Sequence, residues 1–343
     1  MKFSLEKFRE ASYLIAEVGQ NHNGDLKTAL EFIKVFANNG ADAVKFQMRN
    51  NKILFSQEAY DRSYDSENSF AKTYGEHREA LELKIEDFKI LKDECKKWDV
   101  DFMVTPFDEP SLNSLVDLKV DVIKISSFDL GNLPFINKIA KTGIPIVMSI
   151  GGGQEDQIKG SIDLILKYHN DVAIMHCVSE YPCEFNRLGL ENIQILINIW
   201  PNLLIGSSDH FNGILSGPIA YLLGARIFEK HVTLNRSWKG TDQSFSLEPT
   251  GFSKFRRDID RVGKMLPMKS KVELGSEKVF SRLGKSVIAY ADIKAGEKLT
   301  LENLSGRILT EIVIPVRRTN EIIGKTALVD IKTGEIINYE KIK

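Results

Sequence analysis

Residues 43–48 read Ala-Val-Lys-Phe-Gln-Met, an apolar, β-branched run broken by one lysine and one glutamine, and residues 121–127 repeat the theme as Asp-Val-Ile-Lys-Ile-Ser-Ser. Runs this short with β-branched content predict strands rather than helices. Comparable runs lie at 13–18, 101–105, 120–125, 144–149, 172–177, 203–207 and 226–232, which with 43–48 makes eight. Amphipathic helical stretches follow most of them, among them 26–39, 84–97 and 191–199. Strands alternating with helices argue for parallel pairing through right-handed crossovers. Eight such units in about 250 residues match a closed (β/α)8 TIM barrel. The rival is a doubly wound open sheet, which usually has fewer strands and a glycine-rich first turn. The stretch after the first run, Ala-Glu-Val-Gly-Gln-Asn-His-Asn-Gly, lacks the GxGxxG spacing of such a turn.

The whole chain has 343 residues, more than one ordinary domain. We expect the barrel over 1–265, a linker over 266–280 and a small β-rich domain over 281–343. The small domain contains an echo: residues 292–300 read DIKAGEKLT and residues 330–338 read DIKTGEIIN. Both carry tight-turn chemistry and suggest a pseudo-symmetric pair of hairpin-like units. Such a short segment buries little core, so it is expected to lean on the barrel or on another subunit. Within the barrel, the connection over 49–83 is long and polar, which suits a lid or binding loop on the catalytic face.

Composition excludes several classes. With 43% hydrophobic residues the chain is not a disordered one. Its 46 basic and 47 acidic residues balance, leaving no global field for nucleic acid or a membrane surface. Three cysteines, Cys95, Cys177 and Cys183, are too few for a disulfide framework or a thiolate zinc site. No apolar run approaches the roughly 20 residues that span a bilayer, and none near the N-terminus resembles a signal peptide, so a cytoplasmic location is expected.

Barrel active sites form at the C-terminal ends of the strands. Read in order, those ends carry Glu17 and Asn21, Lys45 and Gln47, Thr105, Lys124 with Ser126 and Ser127, Ser149, His176, Ser208 and His210, then Glu229 and His231. Lys45 and Lys124 sit inside apolar runs, and a buried ammonium requires an anionic partner. With the hydroxyls of Thr105, Ser127, Ser149 and Ser208 they suit a phosphate cradle. The alternative is an internal ion-pair network with Glu17 or Glu229. His210 and His231 end adjacent strands, and the pair suits an open divalent-cation site, such as one for Mn2+, better than a closed zinc site. Asp242, in the loop beyond the eighth strand, is placed to orient a bound water or a substrate hydroxyl, or is simply a turn residue. Ser208 and Asp209 read equally well as helix caps. Cys177 is expected to serve strand packing.

The motifs AEVGQNHNGDLKTA, GADAVKFQ, TPFD, IKISS, NLPFINKIAKTGIPIVMSIG, HCVSEYP, GSSDH and FEKHVTL, in this order, resemble those of the sialic acid synthase (N-acetylneuraminate synthase) family across essentially the whole chain. The C-terminal echo region resembles that family's antifreeze-like SAF domain, a β-clip unit. The resemblance implies a transferase that condenses phosphoenolpyruvate with an N-acetylmannosamine-type sugar. It places phosphoenolpyruvate on Lys45, Thr105, Lys124, Ser127, Ser149, Ser179 and Ser208, and the sugar on Gln47, Asp129, Tyr181 and Asp242. It makes His210 and His231 ligands of Mn2+ (Mg2+ or Co2+ being substitutes) and sets Glu17 beside the reacting carbons. It further implies a domain-swapped homodimer, with Arg307 standing near the arginine that reaches the sugar's N-acetyl group. The family commonly has Ser-Gly-Glu where this chain has Ser127-Phe128-Asp129, and Arg-Pro-Gly-Thr-Gly-Ile in the region that reads Gly306-Arg307-Ile308-Leu309-Thr310-Glu311 here. These departures leave open a 2,4-diacetamido hexose acceptor, giving legionaminic or pseudaminic acid. Two further readings stay open: a pyruvate lyase with Lys124 as Schiff-base nucleophile, and a barrel that binds a phosphorylated sugar without turning it over.

Overall fold

The computed structural model describes residue 8 and residues 11–267 and 277–343. The chain divides into two compact units, Met1–Leu266 and Pro267–Lys343. In the first, β1 (Tyr13–Gly19), β2 (Ala43–Met48), β3 (Asp101–Pro106), β4 (Val122–Ile125), β5 (Ile146–Ser149), β6 (Val172–Cys177), β7 (Leu204–Asp209) and β8 (Ile227–His231) close into a barrel in sequence order. Every pairing is parallel, and the ring is sealed where Tyr13 meets Ile227 and Glu17 meets His231. The expected (β/α)8 barrel is therefore the observed one.

Strand alternation decides what fills the interior. The lower interior holds Tyr13, Ile15, Ala43, Met103, Val122, Val147, Ala173, Met175, Leu204 and Ile227, with Phe8 against Tyr13. Two residues further along the strands, and four on β7, the interior turns polar, at Glu17, Lys45, Thr105, Lys124, Ser149, Ser208 and Glu229. The opposite strand faces pack against the helices. The helix Leu26–Asn38 is typical: Asp25 caps it by accepting the Thr28 amide, and Ala29, Phe32, Ile33 and Phe36 recur at helical spacing on its buried side.

Three strands depart by two residues from the expected extent. β4 and β5 begin two residues later than the runs suggested, and β7 runs on to Asp209. Ser208 and Asp209, candidate helix caps by sequence, instead pair with Glu229 and Lys230 across β7 and β8. The long connection after β2 contains three short helices, Asn51–Leu54, Gln57–Asp61 and Tyr74–Ala80. No described helix is long and apolar enough to cross a membrane.

In the second unit β9 (Lys285–Ala289) pairs antiparallel with β10 (Leu304–Ile308). Residues 268–276 of the expected linker lie outside the described residues, and a short helix, Val279–Leu283, covers its end. The sequence echo is a structural clasp. Asp292 accepts from Lys332 and the Thr333 amide, and Asp330 accepts from Lys294 and the Ala295 amide, each at the same distances of 3.0 and 2.9 Å. Ile293 and Ile331 bridge between the two halves. The unit has its own apolar cluster, including Val287, Ile293, Leu299, Ile314, Ile331 and Ile337.

Candidate active site

The polar upper interior opens into a cavity of about 520 Å3 at the C-terminal ends of the strands. Its floor is a network of buried charges. Lys45 Nζ lies 2.9 Å from Glu17 and 3.7 Å from Glu229, and Lys124 Nζ lies 3.7 Å from the other Glu229 oxygen. Lys124 donates to Ser149 Oγ at 2.6 Å, Lys45 to Thr105 at 3.3 Å, Ser208 to Glu229 at 3.1 Å and Gln47 to Glu17 at 2.7 Å. The ion-pair alternative raised by the sequence is thus present, and the same groups face the open cavity.

The charges set one another's titration. Burial disfavours the Lys45 ammonium, yet Glu17 and Glu229 together outweigh it and lift its pKa above the ordinary lysine value. Lys124 goes the other way, because burial and the neighbouring Lys45 charge exceed the help of Glu229. Glu229 is held at about 2: burial would raise it, but Lys124 and Lys45 dominate. Lys45 thus has Glu17 as its near partner, and Lys124 meets only the more distant Glu229.

His210 and His231 stand beside this floor with ring centroids 5.2 Å apart. His210 Nδ1 bonds the Val178 carbonyl at 2.7 Å, which leaves Nε2 with the lone pair. Burial, then the neighbouring His210, holds His231 near 3, so its imidazole is neutral. Asp242 Oδ2 is 4.0 Å from His231 Nε2. Among the described residues no three His, Cys, Asp or Glu side chains converge as a metal site. Two imidazoles with nothing closing the set fit a cation that keeps positions free for substrate and water, and do not fit a closed structural zinc site.

Of the residues singled out by sequence, Glu17, Lys45, Gln47, Thr105, Lys124, Ser127, Ser149, Tyr181, Ser208, His210, His231 and Asp242 line this one cavity. The Tyr181 ring packs against His210 with centroids 4.0 Å apart and planes tilted by 38°. Ser127 Oγ accepts from the Gly151 amide at 3.0 Å. Asp129 and Ser179 are not among the residues lining it, and Arg307 lies in the second unit. Asp129 accepts from Asn132 at 2.9 Å, Ser179 Oγ is buried without a hydrogen-bond partner, and Arg307 is exposed on β10 of the second unit. Cys177 is more than packing: it lines the cavity, and although burial raises its pKa, the hydrogen bond and charge of His210 pull it below the ordinary thiol value. The sequence did not single out Arg49, Tyr74, Arg78 or Phe107 in the outer wall. Three of these lie in the 49–83 connection, whose length marked it as a binding loop, but no spacing rule chose residues within it.

A glycine explains how the first strand feeds the site. Register slips between Glu17 and Gly19, and Gly19 has φ +56°. A Cβ there would sit 3.2 Å from both Gln47 Nε2 and Glu17 Oε1. Only glycine combines that backbone with room for those side chains.

The model of the NeuB family matches residues 32–271, and that of the SAF domain matches residues 284–343. This chain belongs to the NeuB family. It is 33% identical over 332 residues to N-acetylneuraminate-9-phosphate synthase of Mus musculus, covering 96% of this chain and 92% of that one. It is 34% identical to N,N'-diacetyllegionaminic acid synthase of Campylobacter jejuni over 94% of this chain and 98% of that one. Among solved structures, the N-acetylneuraminic acid synthetase of Leptospira borgpetersenii, crystallised with citrate, superposes with a TM-score of 0.71 at 29% identity, covering 82% of this chain and 97% of that one. As a NeuB member with a SAF domain, the chain has the domain order that its sequence suggested.

Proposed function

We propose that this NeuB-family chain is a nonulosonic acid synthase, condensing phosphoenolpyruvate and water with the aldehyde of an N-acetylated amino sugar. The observation that carries this reading is the single cavity in which Lys45, Lys124 and four hydroxyls adjoin the His210–His231 pair and Asp242. Relatives that make N-acetylneuraminate 9-phosphate and diacetyllegionaminic acid support it. The enol carbon of phosphoenolpyruvate bonds to the aldehyde carbon, whose oxygen becomes a hydroxyl. Water adds to the phosphate-bearing carbon, and collapse of that tetrahedral centre breaks its bond to the phosphate oxygen. The products are a 2-keto acid, with nine carbons if the sugar has six, and inorganic phosphate.

Lys45 and Lys124 hold and neutralise the phosphate, and Thr105, Ser127, Ser149 and Ser208 orient it. Glu17, 2.9 Å from Lys45 and bonded to Gln47, is placed to take a proton from the adding water. Tyr181, Gln47 and Asp242 position the sugar. His210 and His231 would hold a divalent cation, with Mn2+ the best match, which when bound polarises a carbonyl oxygen as a Lewis acid. Phosphate release from phosphoenolpyruvate, measured with N-acetylmannosamine and with 2,4-diacetamido hexoses, each with and without EDTA, tests the reading. EDTA-sensitive release with one of these sugars is expected. No release with any of them defeats it.

The lowered pKa of Lys124 favours one rival, a Schiff-base lyase acting on pyruvate. Its hydrogen bond to Ser149 and its charge contact with Glu229 speak against a free amine. Borohydride trapping with pyruvate separates the two, since the condensation leaves no adduct on Lys124. We further propose a cytoplasmic homodimer in which Arg307 reaches the sugar. Sedimentation at twice the 38.8 kDa chain mass and a raised sugar KM in Arg307→Ala are the expected results.

A further inference from the structure

A run of polar contacts leaves the floor of the site and ends outside it. Glu17, 2.9 Å from Lys45, accepts from Gln47 Nε2 at 2.7 Å. The amide oxygen of the same Gln47 accepts from Arg49 Nη2. Arg49 Nη1 donates to Glu82 Oε1 at 3.0 Å, and Gln20 Nε2 donates to that oxygen at 2.7 Å. The guanidinium also lies over the Phe107 ring, 4.1 Å from its centroid. Glu82 does not line the cavity of the site; it stands between the helices Tyr74–Ala80 and Ile85–Lys97. The Arg49–Glu82 pair is well buried, with 6% of the arginine side chain and 11% of the glutamate exposed.

The order of these groups has a chemical consequence. A guanidinium only donates, so it meets the Gln47 amide at its oxygen. With the oxygen held there, the NH2 end faces Glu17 and donates to it. Reversed, the amide would set its oxygen against the Glu17 carboxylate and repel it. Arg49 holds this arrangement while Glu82 balances its charge, because a buried guanidinium without a counter-ion is costly and repacks toward another acceptor. We infer that Glu82 is a positioning residue for Glu17, acting through Arg49 and Gln47 to fix the carboxylate that takes the proton from the adding water. The inference rests on the condensation proposed above and deepens it: the 49–83 connection then orients the floor of the site as well as walling its mouth.

The test uses the full-length, Mn2+-supplied protein with phosphoenolpyruvate and N-acetylmannosamine or a 2,4-diacetamido hexose, whichever it turns over. Glu82→Gln keeps an oxygen for Gln20 and takes the counter-charge from Arg49. Its kcat should fall at least tenfold while KM for phosphoenolpyruvate stays within twofold. Arg49→Lys, whose single ammonium cannot span Glu82 and Gln47, should reproduce the loss and serves where Glu82→Gln does not fold. In a Gln47→Met background, Glu82→Gln should change kcat less than twofold, because the link to Glu17 is already cut. Removing both charges, in Glu82→Gln with Arg49→Met, should leave kcat low, whereas a role limited to charge balance predicts recovery. A fall in kcat smaller than tenfold, a fall that persists in the Gln47→Met background, or recovery in the doubly neutral variant overturns the inference. If no sugar is turned over, the condensation itself fails, and urea midpoints decide the link between Glu82 and Gln47, which meet only through Arg49. Losses that fall short of adding in Glu82→Gln with Gln47→Met uphold the positioning of Glu17, and additive losses remove it.

Discussion

Glu229 is the residue on which the floor of the site depends. Among the described residues it alone pairs with both Lys45 and Lys124, and Ser208 donates to it. Replacing it by glutamine leaves two buried ammoniums facing one carboxylate. Glu229→Gln should lose about 3 kcal/mol of stability, read from the denaturant midpoint, and at least 100-fold in kcat/KM. Phosphoenolpyruvate should raise the variant's midpoint more than the wild type's, because its charge replaces the missing carboxylate. At the other end of the barrel, Asp101 accepts from Tyr13 at 2.8 Å and is pushed up to about 6, chiefly by burial. A carboxyl raised in the folded state favours folding below its unfolded pKa of about 4, and that contribution is lost as pH rises through 6. Asp101→Asn keeps an acceptor for Tyr13. It should therefore be more stable than the wild type at pH 7.5, by on the order of 2 kcal/mol, with the difference vanishing near pH 4. Urea midpoints at the two pH values check this, and an unchanged difference between them would sink it.

At the scale of elements, the connection after β2 supplies one wall of the cavity through Arg49, Phe55, Tyr74 and Arg78. Its helices are held by aromatic packing: Phe55 and Tyr64 meet the Tyr74 ring edge-on, with centroids 5.4 and 5.3 Å away. Gly75 lets the Gln57–Asp61 helix approach, since a Cβ there would fall 2.2 Å from the Tyr60 ring. Gly75→Ala must displace that ring and the wall carrying Tyr74 and Arg78, while β3 to β8 stay in place. KM for the sugar should rise roughly tenfold and KM for phosphoenolpyruvate should stay within twofold. A rise confined to phosphoenolpyruvate would show that this wall belongs to the other substrate.

At the scale of the whole molecule, the proposed reaction divides into two tasks around the barrel mouth. The proposed anion cradle draws on β2 to β5 and β7, and the imidazole pair sits at the ends of β7 and β8. Removing metal should therefore stop phosphate release and spare phosphoenolpyruvate binding. With EDTA, saturating phosphoenolpyruvate at 100 times its Kd should still raise unfolding free energy by about 2.7 kcal/mol. Loss of that stabilisation would mean that the cation also holds phosphoenolpyruvate. The second unit has the opposite logic: its repeated DIK turns clasp each other through Asp292 and Asp330, so its fold follows from internal repetition rather than from a large core.

The sequence by itself determined the barrel, its strand order and most of its floor. A two-residue alternation fixes which side chains enter the interior, and eight apolar runs ending in polar groups place Lys45, Lys124, Glu229, His210 and His231 at one rim. It also marked the repeat in the second unit and the importance of the 49–83 connection. Tertiary structure decided the rest, because pairing across strands and loops has no period. Which carboxylate meets which lysine, the extension of β7 that takes Ser208 and Asp209 from cap candidates into the sheet, and the turning of Asp129 toward Asn132 all depend on neighbours distant in sequence. The same holds for Cys177, drawn from packing to the side of His210.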